Sequence, residues 1–195
     1  MNTVKNKRMH YITKSILATV FLVLSFAFTG PLIDAPTSTK KTAPPGEITF
    51  IGTTKYEKVM SFQEWAITKA EIPSGNIEDL HVEVEIKVKS IFNENKVMVR
   101  HLKNKEHWFN TKKFPLATVV IDKASKNDDG TYSSNANITI KGVSQEVPVQ
   151  FTISEAAPYT VEGTATLNRK NFDLLEGGPK DIVPVSFKAT IPQNL

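Results

Sequence analysis

His81-Val82-Glu83-Val84-Glu85-Ile86-Lys87-Val88-Lys89-Ser90 alternates apolar and polar residues without a break. A period of two puts Val82, Val84, Ile86 and Val88 on one face and the charges on the other, the pattern of a strand with one dry and one wet side. The same alternation returns at Val147, Val149, Phe151 and Ile153, and again at Val183, Val185, Phe187, Ala189 and Ile191. Tyr132, Ala136, Ile138 and Ile140 share a face, as do Val161, Gly163, Ala165 and Leu167. Turn-forming residues separate the runs: Asn127-Asp128-Asp129-Gly130, Gly142-Val143-Ser144, Ala157-Pro158 and Gly177-Gly178-Pro179. Many short strands at this spacing predict an all-β chain folded as a sandwich or barrel.

Leu102 to Asn110 breaks the period. Leu102, Trp108 and Phe109 group among Lys103, Lys105 and Glu106, which predicts one short helix that plugs or lids a barrel end. Phe114-Pro115 stops it, because proline pushes the preceding residue to extended geometry, and Ala117 to Ile121 opens a new strand. A barrel of about eight strands either fills its interior with side chains or holds one small ligand. Ser134, Ala136, Gly163, Ala165 and Ala189 fall inward by parity and are small, while Phe62, Trp65, Trp108, Phe109, Phe151 and Phe172 are large enough to wall a tunnel. A cavity is one outcome of that distribution; small residues opposing large ones in a filled core is the other.

Upstream, Lys5, Lys7, Arg8 and Lys14 precede an apolar run from Ile16 to Phe28 that meets Gly30-Pro31. This is the layout of a secretory signal, and the run is shorter than the ~20 residues of a membrane span. Residues 1–33 are therefore expected to be a signal peptide or signal anchor. Residues 34–46, rich in Pro, Thr and Lys, read as an extended linker, and 47–195 as one barrel domain. The expected location is the periplasm or outside the cell; an uncleaved signal would instead tether the barrel near a membrane.

The chain has a formal net charge of +4 and a pI near 9.1. All of that excess sits in residues 1–33, with four basic and no acidic side chains, which leaves twenty Lys/Arg against twenty Asp/Glu. A neutral mature domain gives no support for nucleic-acid binding. There is no cysteine, so thiol chemistry, disulfides and acylation on Cys are excluded.

Catalysis by hydrolysis needs a nucleophile beside a base, or paired carboxylates in one cleft. No nucleophile elbow is present. His101 and His107 stand six apart rather than at the i, i+4 spacing of zinc ligands on a helix, and His81 has no evident partner. Asp128-Asp129 reads as a hairpin turn before Gly130, and Glu83 and Glu85 as the wet face of a strand balanced by Lys87 and Lys89. No metal or cofactor is expected.

One order of motifs extends over most of the domain. Ile48-Thr49-Phe50 and Phe62-Gln63-Glu64-Trp65 are followed by Arg100-His101-Leu102, Trp108-Phe109-Asn110 and Lys113-Phe114-Pro115-Leu116-Ala117. Gly130-Thr131-Tyr132, Ile138-Thr139-Ile140-Lys141-Gly142-Val143, Val147-Pro148-Val149-Gln150-Phe151 and Leu167-Asn168-Arg169-Lys170-Asn171-Phe172 complete it. In order and spacing these resemble the YceI-like family from about Glu47 to Pro192. The resemblance implies a lipocalin-like antiparallel β-barrel that binds a long polyisoprenoid, in some relatives an isoprenoid quinone, in the bacterial periplasm. In that family an arginine at the start of the helix and another before the penultimate phenylalanine recur beside the barrel, which singles out Arg100 and Arg169 as loop clamps or ligand contacts. The chain departs from the pattern at His101, where aspartate is usual, at Leu174, where glycine is usual, and at Lys55-Tyr56-Glu57-Lys58, which replaces a histidine-glycine portion.

The residues and the resemblance together nominate a ligand-binding set. It comprises the aromatics Phe62, Trp65, Trp108, Phe109, Phe114, Phe151 and Phe172, and the aliphatics Ile86, Val88, Leu102 and Ile138. To these are added the small residues Ala136, Gly163 and Ala165 and the polar residues Arg100, His101 and Arg169. The expected function is non-catalytic binding of a polyisoprenoid or quinone-like chain. Two alternatives remain open at this point: a solid barrel that binds another envelope protein, and an enzyme acting on an apolar substrate.

Overall fold

The computed structural model describes residues 43–52, 57–175 and 180–191. The signal segment, most of the linker, the Lys55-Tyr56 portion and the Gly177-Gly178-Pro179 turn lie outside the described residues.

Among the described residues eleven strands form one antiparallel sheet. They are β1 (Gly46–Gly52), β2 (Lys58–Phe62), β3 (Trp65–Glu71), β4 (His81–Lys87), β5 (Ile91–Phe92), β6 (Leu116–Asp122), β7 (Ser125–Lys126), β8 (Tyr132–Ile140), β9 (Val143–Ile153), β10 (Tyr159–Asn168) and β11 (Ile182–Ile191). The helix α1 (Lys96–Asn104) is inserted between β5 and β6.

The sheet closes because two pairs of strands are interrupted single strands. Across the bend at Gln63-Glu64, β2 runs on into β3; across a 3-10 turn at Val88–Ser90, β4 runs on into β5. The two interrupted strands stay paired through their breaks, by Lys87 N–H to Glu64 O at 3.0 Å and Gln63 N–H to Ser90 O at 3.3 Å. Counted this way, eight strands form a ring: β1, β2/β3, β4/β5, β6, β8, β9, β10, β11 and back to β1. A seam remains along the outer edge of β3, which among the described strands pairs with β4 alone. The β1–β2 register sets Ser61 opposite Thr49, so β3 runs past the point where β1 begins.

Inward and outward residues alternate as the sequence pattern requires. Val147, Val149 and Phe151 are buried between exposed Glu146, Pro148 and Gln150. The β8–β9 hairpin turns on Lys141 and Gly142, with φ of 54° and 78°. Positive φ at both central residues is the two-residue turn that matches strand twist.

Two expectations are corrected. The alternating run from His81 stops being a strand at Lys87, and Val88 lies in the 3-10 turn, its N–H bonded to Pro115 O at 2.9 Å. The helix lies earlier than Leu102–Asn110. The Asn95 side chain accepts from Met98 N–H at 3.0 Å and caps the start of α1, and Trp108 and Phe109 sit in turns beyond its end. Arg100 is therefore in mid-helix rather than at its start.

α1 and the segment after it close one end of the barrel, together with the β8–β9 turn and the stretch from Arg169 to Leu175. Leu175 N–H bonds His107 O at 3.1 Å across that cap. The opposite end is closed by the turns between Ile72 and Leu80, where Ala124 N–H reaches Glu78 O at 3.0 Å.

Candidate binding cavity

Inside the ring lies a cavity of about 320 Å³, at the lower end of the ~300–1,000 Å³ usual for ligand pockets. Five successive inward positions of β11, from Val183 to Ile191, line it. At ~3.3 Å per residue that is roughly 26 Å along the strand, or about 20 Å along the barrel axis for the usual strand tilt. The cavity is long and thin, and its surface is apolar throughout.

Aliphatic side chains line both ends of the cavity, Ile67, Leu80, Val82, Ile121, Ile153 and Ile191 toward the β3–β4 turns and Ile140, Leu167 and Val183 toward α1, where aromatic rings join them. Phe50 and Phe62 lie 5.4 Å apart between ring centroids, and Phe62 meets Phe109 edge-on at 6.3 Å, so a line of rings links β1 and β2 to the cap. Met98 and Leu102, four apart on α1, turn to the cavity, while Val97, Arg100 and His101 are exposed on the other side. The helix is the partition between cavity and solvent.

Among the described residues Arg169 is the one charged residue in the wall, and it is buried. It opens a short 3-10 turn capped by the Asn168 side chain. Its guanidinium donates to Leu174 O and, at 3.3 Å, to Asp181 Oδ1, and lies 5.6 Å from the Trp108 ring centroid in a cation–π contact. This arginine locks Trp108 and the stretch ending at Leu174 over the barrel end.

A second buried cation finishes the cap. Lys141 Nζ donates to Glu106 O at 2.9 Å, to Asp173 O at 2.6 Å and to Asp173 Oδ2 at 3.3 Å. One ammonium from the β8–β9 turn thus ties down both the segment that carries Trp108 and Phe109 and the segment that carries Phe172 and Leu174.

Of the nominated residues, Phe62, Trp65, Ile86, Leu102, Trp108, Phe109, Ile138, Phe151, Ala165, Arg169 and Phe172 line the cavity. The others do not. Arg100 and His101 are exposed on the outer face of α1. Phe114 packs over the β8–β9 turn, close enough that a Cβ on Gly142 would stand 3.5 Å from its ring. Val88 is buried where the strand becomes a 3-10 turn. Ala136 has no exposed surface at all, and Gly163 is covered by Phe187, whose Cζ lies 2.6 Å from where its Cβ would be. Ser134 bonds Lys123 O at 2.6 Å and lies outside the wall, whereas the small Ala117, Ala165 and Ala189 belong to it.

The nominated set omits Met60, Met98 and Leu174, which line the cavity, and Lys141, which ties down its cap. Asn95, a good cap three residues before Met98, was the available signal for where the helix starts. Lys141 at a turn position that favours Asn or Gly was the signal for a side chain with a task. Among the described residues no cluster of three or more His, Asp or Glu is arranged to hold a metal ion.

A closed antiparallel barrel with an apolar cavity along its axis and a helix across one end is the lipocalin-like class of barrel. Within that class, residues 46–191 match the model of the YceI-like domain, and the chain belongs to this family. Similar solved structures include BcnA of Burkholderia cenocepacia, at 19% identity and a TM-score of 0.66 over 73% of this chain and 94% of that one. A polyisoprenoid binding domain from Saccharophagus degradans is similar at 13% identity and a TM-score of 0.58, over 77% and 96% of the two chains. The YCEI protein of Campylobacter jejuni is similar at 19% and 0.57, over 67% and 81%. These likenesses establish the fold. No curated protein matches the chain.

Proposed function

We propose that this protein is an exported, non-catalytic carrier that holds a polyisoprenoid or isoprenoid-quinone-like chain in the barrel cavity. The observation that carries the reading is the cavity itself: long, thin and apolar from end to end, the shape of an extended hydrocarbon chain. Removing such a chain from water is worth roughly 0.8 kcal/mol per CH₂, against which association and ordering costs are set. Family membership and the polyisoprenoid-binding description of the Saccharophagus degradans domain support the choice of ligand class. A non-catalytic reading is supported by a wall whose only charged side chain among the described residues, Arg169, is engaged with Leu174 O and with Asp181. Export to the periplasm is supported by the basic and apolar pattern of residues 1–33.

Native mass spectrometry of protein purified without detergent, followed by organic extraction, tests the reading. A copurified isoprenoid or quinone near one per chain is expected. An empty protein that also refuses added polyisoprenoids would overturn it in favour of an interaction module.

A further inference from the structure

The domain is neutral as a whole but not from end to end. Residues 93–115, which build the α1 cap, carry Lys96, Arg100, Lys103, Lys105, Lys112 and Lys113 against Glu94 and Glu106 alone. At the opposite end, residues 71–81 and 122–131 carry Glu71, Glu78, Asp79, Asp122, Asp128 and Asp129 against Lys123 and Lys126. α1 itself has three Lys/Arg and no carboxylate. Lys96 stands in its first turn, where the helix dipole disfavours a cation, so helix stability does not account for that charge.

The exposed apolar side chains follow the same polarity. Six large hydrophobics are exposed among the described residues: Val59, Phe92, Val97, Leu116, Leu175 and Ile182. All six lie at the α1 end. Phe92 pairs opposite Ser61, and Asn93 Nδ2 bonds Val59 O at 2.8 Å, so Val59 and Phe92 are neighbours just ahead of α1. Leu175 is bonded to the cap through His107, Leu116 sits opposite Lys87, and Ile182 is paired with the last residue of β10. The acidic end exposes none of these side chains.

We infer that the α1 end is a docking face for an anionic phospholipid bilayer, on which the lysines meet headgroups and Val97, Phe92 and Val59 enter the interface. Interspersed lysine and aliphatic or aromatic side chains are the composition that binds such surfaces. The acidic end is repelled by the same surface and orients the barrel axis across it. This inference rests on the carrier reading above: Met98 and Leu102 line the cavity on the reverse of the same helix. Docking therefore brings the membrane to within one helix diameter, ~10 Å, of the binding site.

The full chain lacks cysteine, so single cysteines at Val97→Cys and, on the acidic end, Asp128→Cys accept an environment-sensitive fluorophore cleanly. The N-terminal apolar run is common to both, and comparison between the labels isolates the face. With phosphatidylcholine vesicles containing phosphatidylglycerol, the label at 97 is expected to shift to the blue and the label at 128 to stay unchanged. The shift is expected to weaken as salt is raised from ~0.1 to ~1 M, which shortens the screening length from about 10 to 3 Å.

The triple variant Lys96→Glu, Lys105→Glu, Lys112→Glu alters exposed side chains only. At about fivefold per charge, it should raise the vesicle concentration needed for the shift by a hundredfold or more. Equal response of the two labels, a shift indifferent to phosphatidylglycerol, or no shift at 97 overturns the docking face; the last outcome points to a protein partner instead. Polyisoprenoid uptake from detergent micelles, measured on the same triple variant, separates the two readings. Retained uptake with lost docking supports the face, whereas absent uptake in the parent protein is a failure of the carrier reading alone.

Discussion

Lys141→Asn pits two effects of known sign against each other. At φ 54° in a two-residue turn, asparagine is the better backbone choice, by about 1 kcal/mol, because a left-handed lysine pays a steric cost. The substitution also removes the ammonium that holds Glu106 O and Asp173 O. Hydrogen bonds to a charged donor contribute about 1.5–3 kcal/mol each, and returning a buried ammonium to water offsets part of that loss. The pair with Asp173, whose side chain is 60% exposed, adds less than about 1 kcal/mol. The net expectation is a loss of about 2 kcal/mol, which in a domain of this size lowers the melting temperature by roughly 4–8 °C. If the bound chain leaves through the cap, a clasp weaker by that amount releases it about thirtyfold faster. Calorimetry gives the first number and stopped-flow displacement of a fluorescent isoprenoid the second. A variant that melts at or above the parent temperature would show that the turn, not the clasp, is what position 141 serves.

Three other perturbations probe the wall and the frame. Ala165→Phe directs a ring into the cavity from the middle of β10 and is expected to weaken polyisoprenoid binding at least about tenfold at little cost in stability, since the ring enters empty space; unchanged affinity in a fluorescence titration would remove Ala165 from the binding wall. Gly163→Ala does the opposite: its Cβ would stand 2.4 Å from Gln150 O and 2.6 Å from Phe151 Cβ, so a loss of about 1–3 kcal/mol in urea unfolding is expected, and a neutral result would contradict the packing of β9 on β10. His81 is held above its ordinary pKa of 6.5, first by the Glu83 carboxylate at 2.9 Å and further by Asp122 at 3.5 Å. A raised folded pKa means stabilisation that is complete below pH ~6.5 and lost as pH climbs through the folded value, so His81→Gln should lower the melting temperature in mild acid and not in alkali. As a partly exposed pair it is worth about 0.2–1 kcal/mol. A difference that is the same at both pH values would argue against the ion pair.

The strands are legible because burial on one face imposes a period of two that a single sequence displays, and β9 and β11 follow it residue by residue. Closure is not, because it depends on Gln63-Glu64 and Val88–Ser90 bending strands that stay paired, and a bend leaves the alternation on either side unchanged. The helix start was misplaced because Val97, Met98 and Val99 carry no helical spacing of their own, while Trp108 and Phe109 draw the eye to the turn beyond. In the wall, parity predicts which way a side chain points but not what stands in front of it. Ala165 and Gly163 share a face of β10, yet only Ala165 reaches the cavity, because the Phe187 ring covers Gly163. Lys141 and Arg169 act through backbone carbonyls more than 30 and 5 residues away respectively, contacts with no sequence signature.

What selects the ligand follows from where polarity is spent. Burying a charge is costly unless it is paired and hydrogen-bonded, and both buried cations here bond to the cap: Arg169 to Leu174 O and Asp181, with the Trp108 ring beside it, and Lys141 to Glu106 and Asp173. Neither is left to greet a ligand deep in the barrel, and the exposed surface of the lumen is apolar. Such a wall separates chains by length only weakly, at about 0.8 kcal/mol per methylene, and presents no charged group along its axis to read a head group. On the carrier reading, head-group discrimination is expected at the barrel end where Trp108, Arg169 and the backbone of the cap converge. Both cations hold this end shut, so on the carrier reading changes to either are expected to lower stability and to speed ligand release together.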